Sequence, residues 1–160
     1  MKGKRTDLGE AGCGIARALG TVGDWWSLLI VREAFHGKQR FGEFEQSLGI
    51  ARNILSKRLK KLVEEGIFRV DDRDGRSHSY ILTDKGADLY VVLVALWQWG
   101  EEYCFADAHP NHVMVDQGGS PLPKMTPRSS GGRKIGARDF RLVPRDPAAS
   151  GVNEWITAVP

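Results

Sequence analysis

A basic amphipathic segment leads directly into a turn-rich segment at residues 51–82, which read ARNILSKRLKKLVEEGIFRVDDRDGRSHSYIL. Leucines and other apolar residues recur at helical spacing as far as Gly66, a residue type that commonly ends a helix. The following residues alternate between apolar and polar, and Asp74-Gly75 separates them from a second β-rich run at residues 78–82. These residues therefore predict a helix followed by a β-hairpin.

Three shorter helices are predicted upstream. The first, at residues 13–19, is closed by Gly20, and Thr21 is expected to cap the second, which ends before Gly37. The third lies at residues 41–48, just before the basic segment. A pair of short helices followed by a hairpin is typical of a winged helix-turn-helix.

A long helix is predicted downstream, from a cap at Thr83 to about Asp107. The fold class is thus mainly α with a small β-hairpin (α+β): a winged helix-turn-helix with a long C-terminal dimerisation helix and a loop- and β-rich C-terminal extension. We expect a flexible N-terminal arm at residues 1–12 and the winged helix-turn-helix with its dimerisation helix at residues 13–108. The extension at residues 109–160 holds all seven prolines.

Composition excludes several classes of protein. The 160 residues are 41% hydrophobic and 27% charged with a formal net charge of +3, which is ordinary for a globular domain. The longest apolar run, at residues 90–97, is too short to cross a bilayer, and the N-terminus lacks the apolar core of a secretory signal. Two cysteines cannot form a disulfide framework. We therefore expect a cytoplasmic protein without a membrane partner.

The helix that follows Ala51 carries the chemistry of a nucleic-acid contact. Residues 51–62 hold five bases and no acid. Lysines neutralise phosphates, whereas arginine and asparagine make bidentate contacts with guanine and adenine edges. We predict contacts with base edges from Arg52, Asn53, Ser56 and Lys57. We predict contacts with phosphates from Arg58, Lys60, Lys61, Arg40 and the hairpin-tip residues Arg73 and Arg76. The alternatives are a merely solvated basic face and a tip whose arginines are neutralised by neighbouring aspartates.

The downstream helix is apolar at every position from 91 to 97. A helix that is apolar all round must be covered all round, and a small winged helix covers only one side. We predict that the same helix of a second copy covers the other side, through Leu89, Val92, Leu93, Leu96, Trp99 and Tyr103. Cover by residues 109–160 of the same chain is the alternative.

Catalytic signatures are missing from the sequence. The four histidines are scattered, and there is no Gly-rich phosphate loop, nucleophile elbow or His-Glu zinc motif. We expect no enzymatic activity, no cofactor and no bound metal. Cys13 and Cys104 are predicted either as small apolar fillers or as redox-active thiols, since Arg17 follows Cys13 by one helical turn and would favour its thiolate.

Several motifs follow one another in order along the chain: Gly23-Asp24-x-Trp26, Arg40-Phe41-x-x-Phe44, Leu55-Ser56-x-Arg58-Leu59 and Tyr80-x-Leu82-Thr83-x-x-Gly86. Through them, residues 13–103 resemble the HxlR-type winged helix-turn-helix regulators, which are relatives of the MarR group. The resemblance implies a bacterial homodimeric transcription factor whose partners are double-stranded DNA and a second copy of itself. It also implies that a cysteine matching Cys13 senses electrophiles or oxidants in some members, which would allow a link between Cys13 and Cys104 of the partner subunit.

The chain departs from that family's pattern at two places. Ala51 stands where such proteins often place a serine that caps the helix, and losing a cap typically costs ~1 kcal/mol. Longer members resemble residues 132–141 but carry paired cysteines before that stretch, where this chain has Arg128-Ser129-Ser130-Gly131. The extension is therefore expected to be a metal-free, zinc-ribbon-like remnant.

The sequence thus predicts a sequence-specific DNA-binding transcriptional regulator that acts as a homodimer on two-fold-symmetric operators. A response to thiol oxidation or to a small-molecule effector is a further expectation. An effector pocket between the dimer helices would be lined by Trp25, Trp26, Trp97 and Trp99, although such residues more often belong to a core. The alternative is a winged-helix protein-interaction module that binds an acidic partner without specific DNA binding.

Overall fold

The computed structural model describes residue 8 and residues 12–72, 78–105 and 112–140. The chain divides into two compact units, Met1–Trp97 and Gln98–Pro160. This division falls inside the last helix, whereas the sequence places a boundary after that helix. Within the described residues, no helix is both long enough and apolar enough to span a membrane.

The first unit is a mainly helical winged helix-turn-helix. Its helices are α1 (Gly14–Val22), α2 (Trp25–Phe35), α3 (Phe41–Leu48), α4 (Arg52–Glu64) and the short α5 (Asp84–Ala87). Strands β1 (Phe68–Asp71) and β2 (Ser79–Leu82) form the wing, and α6 (Tyr90–Tyr103) begins in this unit and ends in the second. The prediction of a mainly helical domain with a two-stranded antiparallel hairpin is confirmed.

A small apolar core joins the helices to the wing. Ile30 of α2, Phe44 of α3 and Phe68 of β1 belong to one buried cluster with the leucines of α4. The rings of Phe44 and Phe68 meet edge to face, with centroids 6.3 Å apart. Such aromatic pairs contribute about 0.5–1.5 kcal/mol beyond the area they bury. The core therefore holds α3 and α4 against the base of the wing.

The wing is also attached to the start of α3. β1 and β2 pair in antiparallel register, with Phe68 opposite Leu82. Arg40, directly before α3, forms an isolated antiparallel bridge with Ser79 of β2. This bridge links the wing to the start of α3 through the backbone.

The junction of α1 and α2 differs from the prediction. α1 continues through Gly20 and Thr21, and the cap of α2 is Asp24. The Asp24 carboxylate accepts a hydrogen bond from the Ser27 N–H at 3.0 Å, as an N-cap should. The Thr21 hydroxyl instead donates to the Glu65 carboxylate at 3.2 Å. The prediction of Thr21 as the cap, and of Gly20 as a helix end, is therefore wrong.

The single long helix predicted after Thr83 consists of two helices. Thr83 caps α5, and its hydroxyl oxygen accepts from the Gly86 N–H at 3.1 Å. Gly86 is buried against the Ile67 carbonyl, where an added Cβ would lie 2.2 Å from the oxygen. This close packing holds α5 on the wing base, and a turn separates it from α6. Asp107, the predicted end of the helix, lies outside the described residues.

The described part of the second unit comprises the end of α6 and residues 112–140. Two turns are closed by isolated β-bridges, Val115 with Pro121 and Arg128 with Lys134. The segment between them binds α6 through polar groups. The Gln98 amide donates to the Pro123 carbonyl at 3.0 Å and accepts from the Met125 N–H at 2.7 Å, and Glu102 forms an ion pair with Lys124.

Candidate nucleic-acid interface

α3 and α4 are joined by a tight three-residue turn. Gly49 ends α3 with a φ of 59°, a left-handed conformation that residues with a Cβ rarely adopt. Ile50 is 3% exposed and belongs to the core, and Ala51 enters α4 with an extended backbone. Because the turn is itself packed, the orientation of α4 relative to α3 is fixed.

The polar face of α4 points away from the core. Leu55, Leu59 and Leu62 are fully buried, and this turns the opposite side chains towards solvent. The exposed residues on that side are Asn53, Ser56, Lys57 and Lys60. The Lys60 side chain stays 77% exposed while it pairs with Glu64 at 3.8 Å. An exposed pair of this kind contributes at most ~1 kcal/mol, so Lys60 can exchange Glu64 for a phosphate at little cost.

The first turn of α4 is held without a side-chain cap from Ala51, as the sequence implies. The Asn53 side-chain oxygen accepts from the Ile54 N–H at 2.9 Å. Arg52 reaches back to α3, with its guanidinium 3.3 Å from the Glu45 carboxylate and 5.3 Å from the centre of the Phe41 ring. These contacts orient Arg52 at the N-terminal end of α4 while leaving its side chain 76% exposed.

Two side chains predicted to contact phosphates point towards the protein interior instead. Arg58 Nε lies 3.1 Å from Asp24 Oδ1, and the Lys61 ammonium donates to the Gly20 carbonyl. Both side chains are half-buried. With the Glu65–Thr21 hydrogen bond, they fasten α4 to the junction of α1 and α2. Arg58 and Lys61 therefore do not share the exposed face of Lys57 and Lys60, which differs from the expectation for both residues.

Arg40 lies at the N-terminal end of α3 and is exposed. Nearby, the Glu43 carboxylate accepts from the N–H groups of Gln39 and Arg40 at 2.8 and 2.9 Å. These hydrogen bonds hold the pKa of Glu43 below its usual 4.5. An open cavity of about 730 Å³ is lined by residues from this end of α3 and from the wing, among them Arg40, His78 and Tyr80.

The wing also carries Arg69, a basic residue that the sequence analysis did not single out. Arg73 and Arg76 lie outside the described residues, so their contacts stay predictions. Arg69 on β1 is 54% exposed and lies 3.6 Å from the Asp71 carboxylate. Phe68 before it is buried, whereas Arg69 and Val70 are both exposed, so burial does not alternate along the whole strand. The signal that could have identified Arg69 is its place directly after the apolar Phe68, because neighbouring side chains of a strand point to opposite faces.

Large apolar side chains are exposed on α6. Val92, Leu96, Trp99 and Tyr103 are between 43% and 63% exposed. Leu89 and Leu93, which the sequence assigned to the same dimer surface, pack against the core of their own chain. On α1, Ile15 and Leu19 are likewise more than half exposed, at 59% and 54%.

Both cysteines are free thiols. Cys13 is half-buried at the N-cap of α1, and Cys104 is exposed just after α6.

Of the predicted effector residues, Trp25 and Trp26 are in ring contact, with centroids 4.9 Å apart. In the described portion of the chain, no group of three or more His, Cys, Asp or Glu side chains is placed to hold a metal ion.

A family model described as HxlR-like helix-turn-helix matches residues 21–108. An HTH-type transcriptional regulator of Mycobacterium tuberculosis, Rv3095, is 52% identical over 91 residues, which are 56% of this chain and 58% of that relative. The chain therefore matches less than two thirds of the length of this relative.

Solved structures are similar as well. The crystal structure of PA1607, a candidate transcription factor, is 45% identical with a TM-score of 0.82, and the match covers 88% of this chain and 100% of that one. The reduced form of the transcriptional regulator YodB from Bacillus subtilis is 28% identical with a TM-score of 0.50, covering 59% of this chain and 96% of that one.

Proposed function

The chain belongs to the HxlR-like helix-turn-helix family, and from this we propose that it is a sequence-specific DNA-binding transcriptional regulator that acts as a homodimer on two-fold-symmetric operators. The observation that carries the proposal is the exposed, basic polar face of α4, the second helix of the helix-turn-helix. A helix with such a face fits the major groove of B-DNA.

The residues of α4 divide into those that read bases and those that hold it in place. Arg52, Asn53, Ser56 and Lys57 lie on the exposed side of its first two turns and would face base edges. Lys60, Arg40 and Arg69, together with Arg73 and Arg76 at the wing tip, would contact phosphates. We assign Arg58 and Lys61 to positioning α4, because their charged groups are engaged by Asp24 and Gly20.

The exposed apolar residues of α6 support a homodimer. Val92, Leu96, Trp99 and Tyr103 expose large side chains that gain from leaving water. Burial against the same helix of a second copy would create a two-fold axis. Two copies of α4 would then meet successive major grooves, whose half-sites lie about 34–36 Å apart.

A thiol response is the regulation that the chain's chemistry favours. Cys13 is a free thiol at the start of α1, and α1 runs into the junction that holds α4. The relative YodB has been solved in a form named as reduced. If oxidation of Cys13 shifts α1, the contacts of Gly20 and Asp24 with α4 would transmit that shift to α4. A small-molecule effector remains a second form of control within the same proposal.

The proposal is tested by selecting bound duplexes from a random pool, with the protein reduced and with it mildly oxidised. We expect a two-fold-symmetric site to be enriched, and enrichment to change after oxidation in the parent but not in Cys13→Ser. Asn53→Ala should relax the sequence preference at one base pair of each half-site, because a bidentate contact is worth about 1–3 kcal/mol of discrimination.

Failure to enrich any sequence would refute the regulator proposal and favour the protein-interaction module. Arg17→Gln keeps the thiol but removes the positive charge one helical turn from Cys13, so it tests whether the response to oxidation needs that charge. Enrichment that stays the same in both redox states would refute the thiol response alone.

A further inference from the structure

The second unit builds the same turn twice. Residues 114–122 read MVDQGGSPL and residues 127–135 read PRSSGGRKI, so the two segments are offset by 13 positions. We call these segments turn A and turn B. An antiparallel bridge closes each one, Val115 with Pro121 in turn A and Arg128 with Lys134 in turn B.

The hydrogen bonds that define the turns correspond. The Asp116 N–H donates to the Ser120 carbonyl at 2.9 Å, and the Ser129 N–H donates to the Arg133 carbonyl at 2.9 Å. The side chains repeat the pattern: the Asp116 carboxylate accepts from the Ser120 N–H, and the Ser129 hydroxyl oxygen accepts from the Arg133 N–H. Glycines with a φ of 81° stand at equivalent positions, Gly119 and Gly132. The two turns therefore share one backbone frame.

The charges of the two turns are opposite. Turn A has one acid and no base, whereas turn B has three bases and no acid. Where turn A has Val115, Ser120 and Pro121, turn B has Arg128, Arg133 and Lys134. Because turn A forms the frame without any base, the bases of turn B are not required to form it. Their concentration on one turn indicates an anionic partner.

Contacts within the second unit restrain the basic side chains of turn B and leave them exposed to solvent. Arg128 Nη1 donates to the Gly132 carbonyl at 2.8 Å, which holds the guanidinium over the turn and leaves further N–H donors for a ligand. The Arg133 side chain is 66% exposed although it pairs with Asp139 at 3.4 Å. Lys134 is exposed. Cations that are already held near one another lose less conformational entropy when they bind an anion.

We propose that turn B binds the phosphodiester backbone of DNA, as a second electrostatic contact besides α4; this inference rests on the DNA binding proposed above. Duplex DNA carries one negative charge per ~1.7 Å of its axis, so it offers several phosphates to three neighbouring cations. The contact reads phosphates and not bases, and is therefore independent of sequence.

The test measures the affinity of the full chain for duplex DNA over a range of KCl concentrations by fluorescence anisotropy. The variant Arg128→Val/Arg133→Ser/Lys134→Pro gives turn B the residues that turn A carries at the same positions, so the frame is kept. Lys124→Gln is a control that removes a base of the same unit outside both turns. Arg128→Lys/Arg133→Lys is a second control, which keeps the charge. Circular dichroism checks that each variant is folded.

We expect the triple variant to reduce the magnitude of the negative log–log salt slope by about 2.7, at about 0.9 per phosphate contact, on the selected duplex and on an unrelated duplex alike. Both controls should keep the parent slope. An unchanged slope for the triple variant, while Lys57→Gln still makes the slope shallower, overturns this inference and leaves the proposed function standing. Parent protein that binds neither duplex overturns both. Unchanged DNA binding with weakened binding to anionic vesicles or to polyglutamate overturns the assignment to DNA.

Discussion

Replacing Gly86 with alanine should destabilise the first unit, even though alanine is the better helix former by ~1 kcal/mol. An added Cβ would lie 2.2 Å from the Ile67 carbonyl oxygen and 3.0 Å from a methyl carbon of Leu82. The Ile67 oxygen also accepts from the Thr83 N–H at 3.0 Å. It therefore cannot move away without loosening a hydrogen bond that joins α5 to the wing.

Two costs oppose the gain in helix propensity at Gly86. Overpacking against a backbone atom typically costs about 1–3 kcal/mol, and a weakened hydrogen bond costs about 1 kcal/mol more. The net loss in the free energy of unfolding should then be about 1–3 kcal/mol. For a domain of this size, each kcal/mol lowers the melting temperature by roughly 4–8 °C.

Gly42→Ala is the matched control, because Gly42 lies exposed on α3 and an added Cβ there would have nothing within 4 Å. Urea unfolding of both variants should be followed by circular dichroism at one fixed protein concentration, since dimer formation would make the midpoint concentration-dependent. We expect Gly42→Ala to unfold at the parent urea concentration or above it, and Gly86→Ala below it. A Gly86→Ala variant as stable as the parent would refute the close approach of α5 to Ile67.

Three further changes test other parts of the structure. Ala51→Ser should supply the missing cap of α4 and raise the free energy of unfolding by ~1 kcal/mol, seen as a higher melting temperature; no rise would mean that Asn53 already satisfies that turn. Burial raises the pKa of Glu33, but hydrogen bonds from Arg32 and Ser47 outweigh burial and leave the pKa below 4.5. The ionised carboxylate therefore stabilises the folded protein above pH 4.5, and this stabilisation is lost as the pH falls through the pKa of the folded state. Glu33→Gln should therefore reduce the fall in melting temperature between a pH above 4.5 and a pH below it. A fall as large as that of the parent protein would count against this role of Glu33. Leu96→Glu should shift the protein towards monomer in sedimentation experiments, and an undisturbed dimer would contradict the interface on α6.

The helix-turn-helix and the wing could be predicted from the sequence because the spacing of their apolar residues reflects which side chains are buried. The leucines of α4 recur at helical spacing and are all fully buried, so the exposed face opposite them follows from spacing alone. The spacing does not reveal where a long charged side chain ends. Arg58 and Lys61 reach Asp24 and the Gly20 carbonyl, which are distant in sequence and become neighbours only in the fold.

Tertiary contacts also explain the other errors. Thr21 is not the cap because α1 continues through it and its hydroxyl binds Glu65, which directly follows α4, whereas Asp24 accepts from the Ser27 N–H. The break between α5 and α6 follows from the packing of Gly86 on Ile67, which no helical pattern records. The repeated turn in the second unit escapes detection in the sequence because turns A and B share little beyond a pair of glycines.

The account depends most on the exposed face of α4, and the salt dependence of DNA affinity tests it most directly. Lys57→Gln/Lys60→Gln should reduce the magnitude of the negative slope of log affinity against log salt by about 1.8, because each lysine that neutralises DNA charge contributes about 0.9 to that magnitude. Lys85→Gln is the control, since the Lys85 ammonium donates to the Glu65 carbonyl at the far end of α4 and glutamine keeps a donor there. The account predicts a shallower slope for the double variant and the parent slope for Lys85→Gln; equal slopes for all three proteins would contradict it.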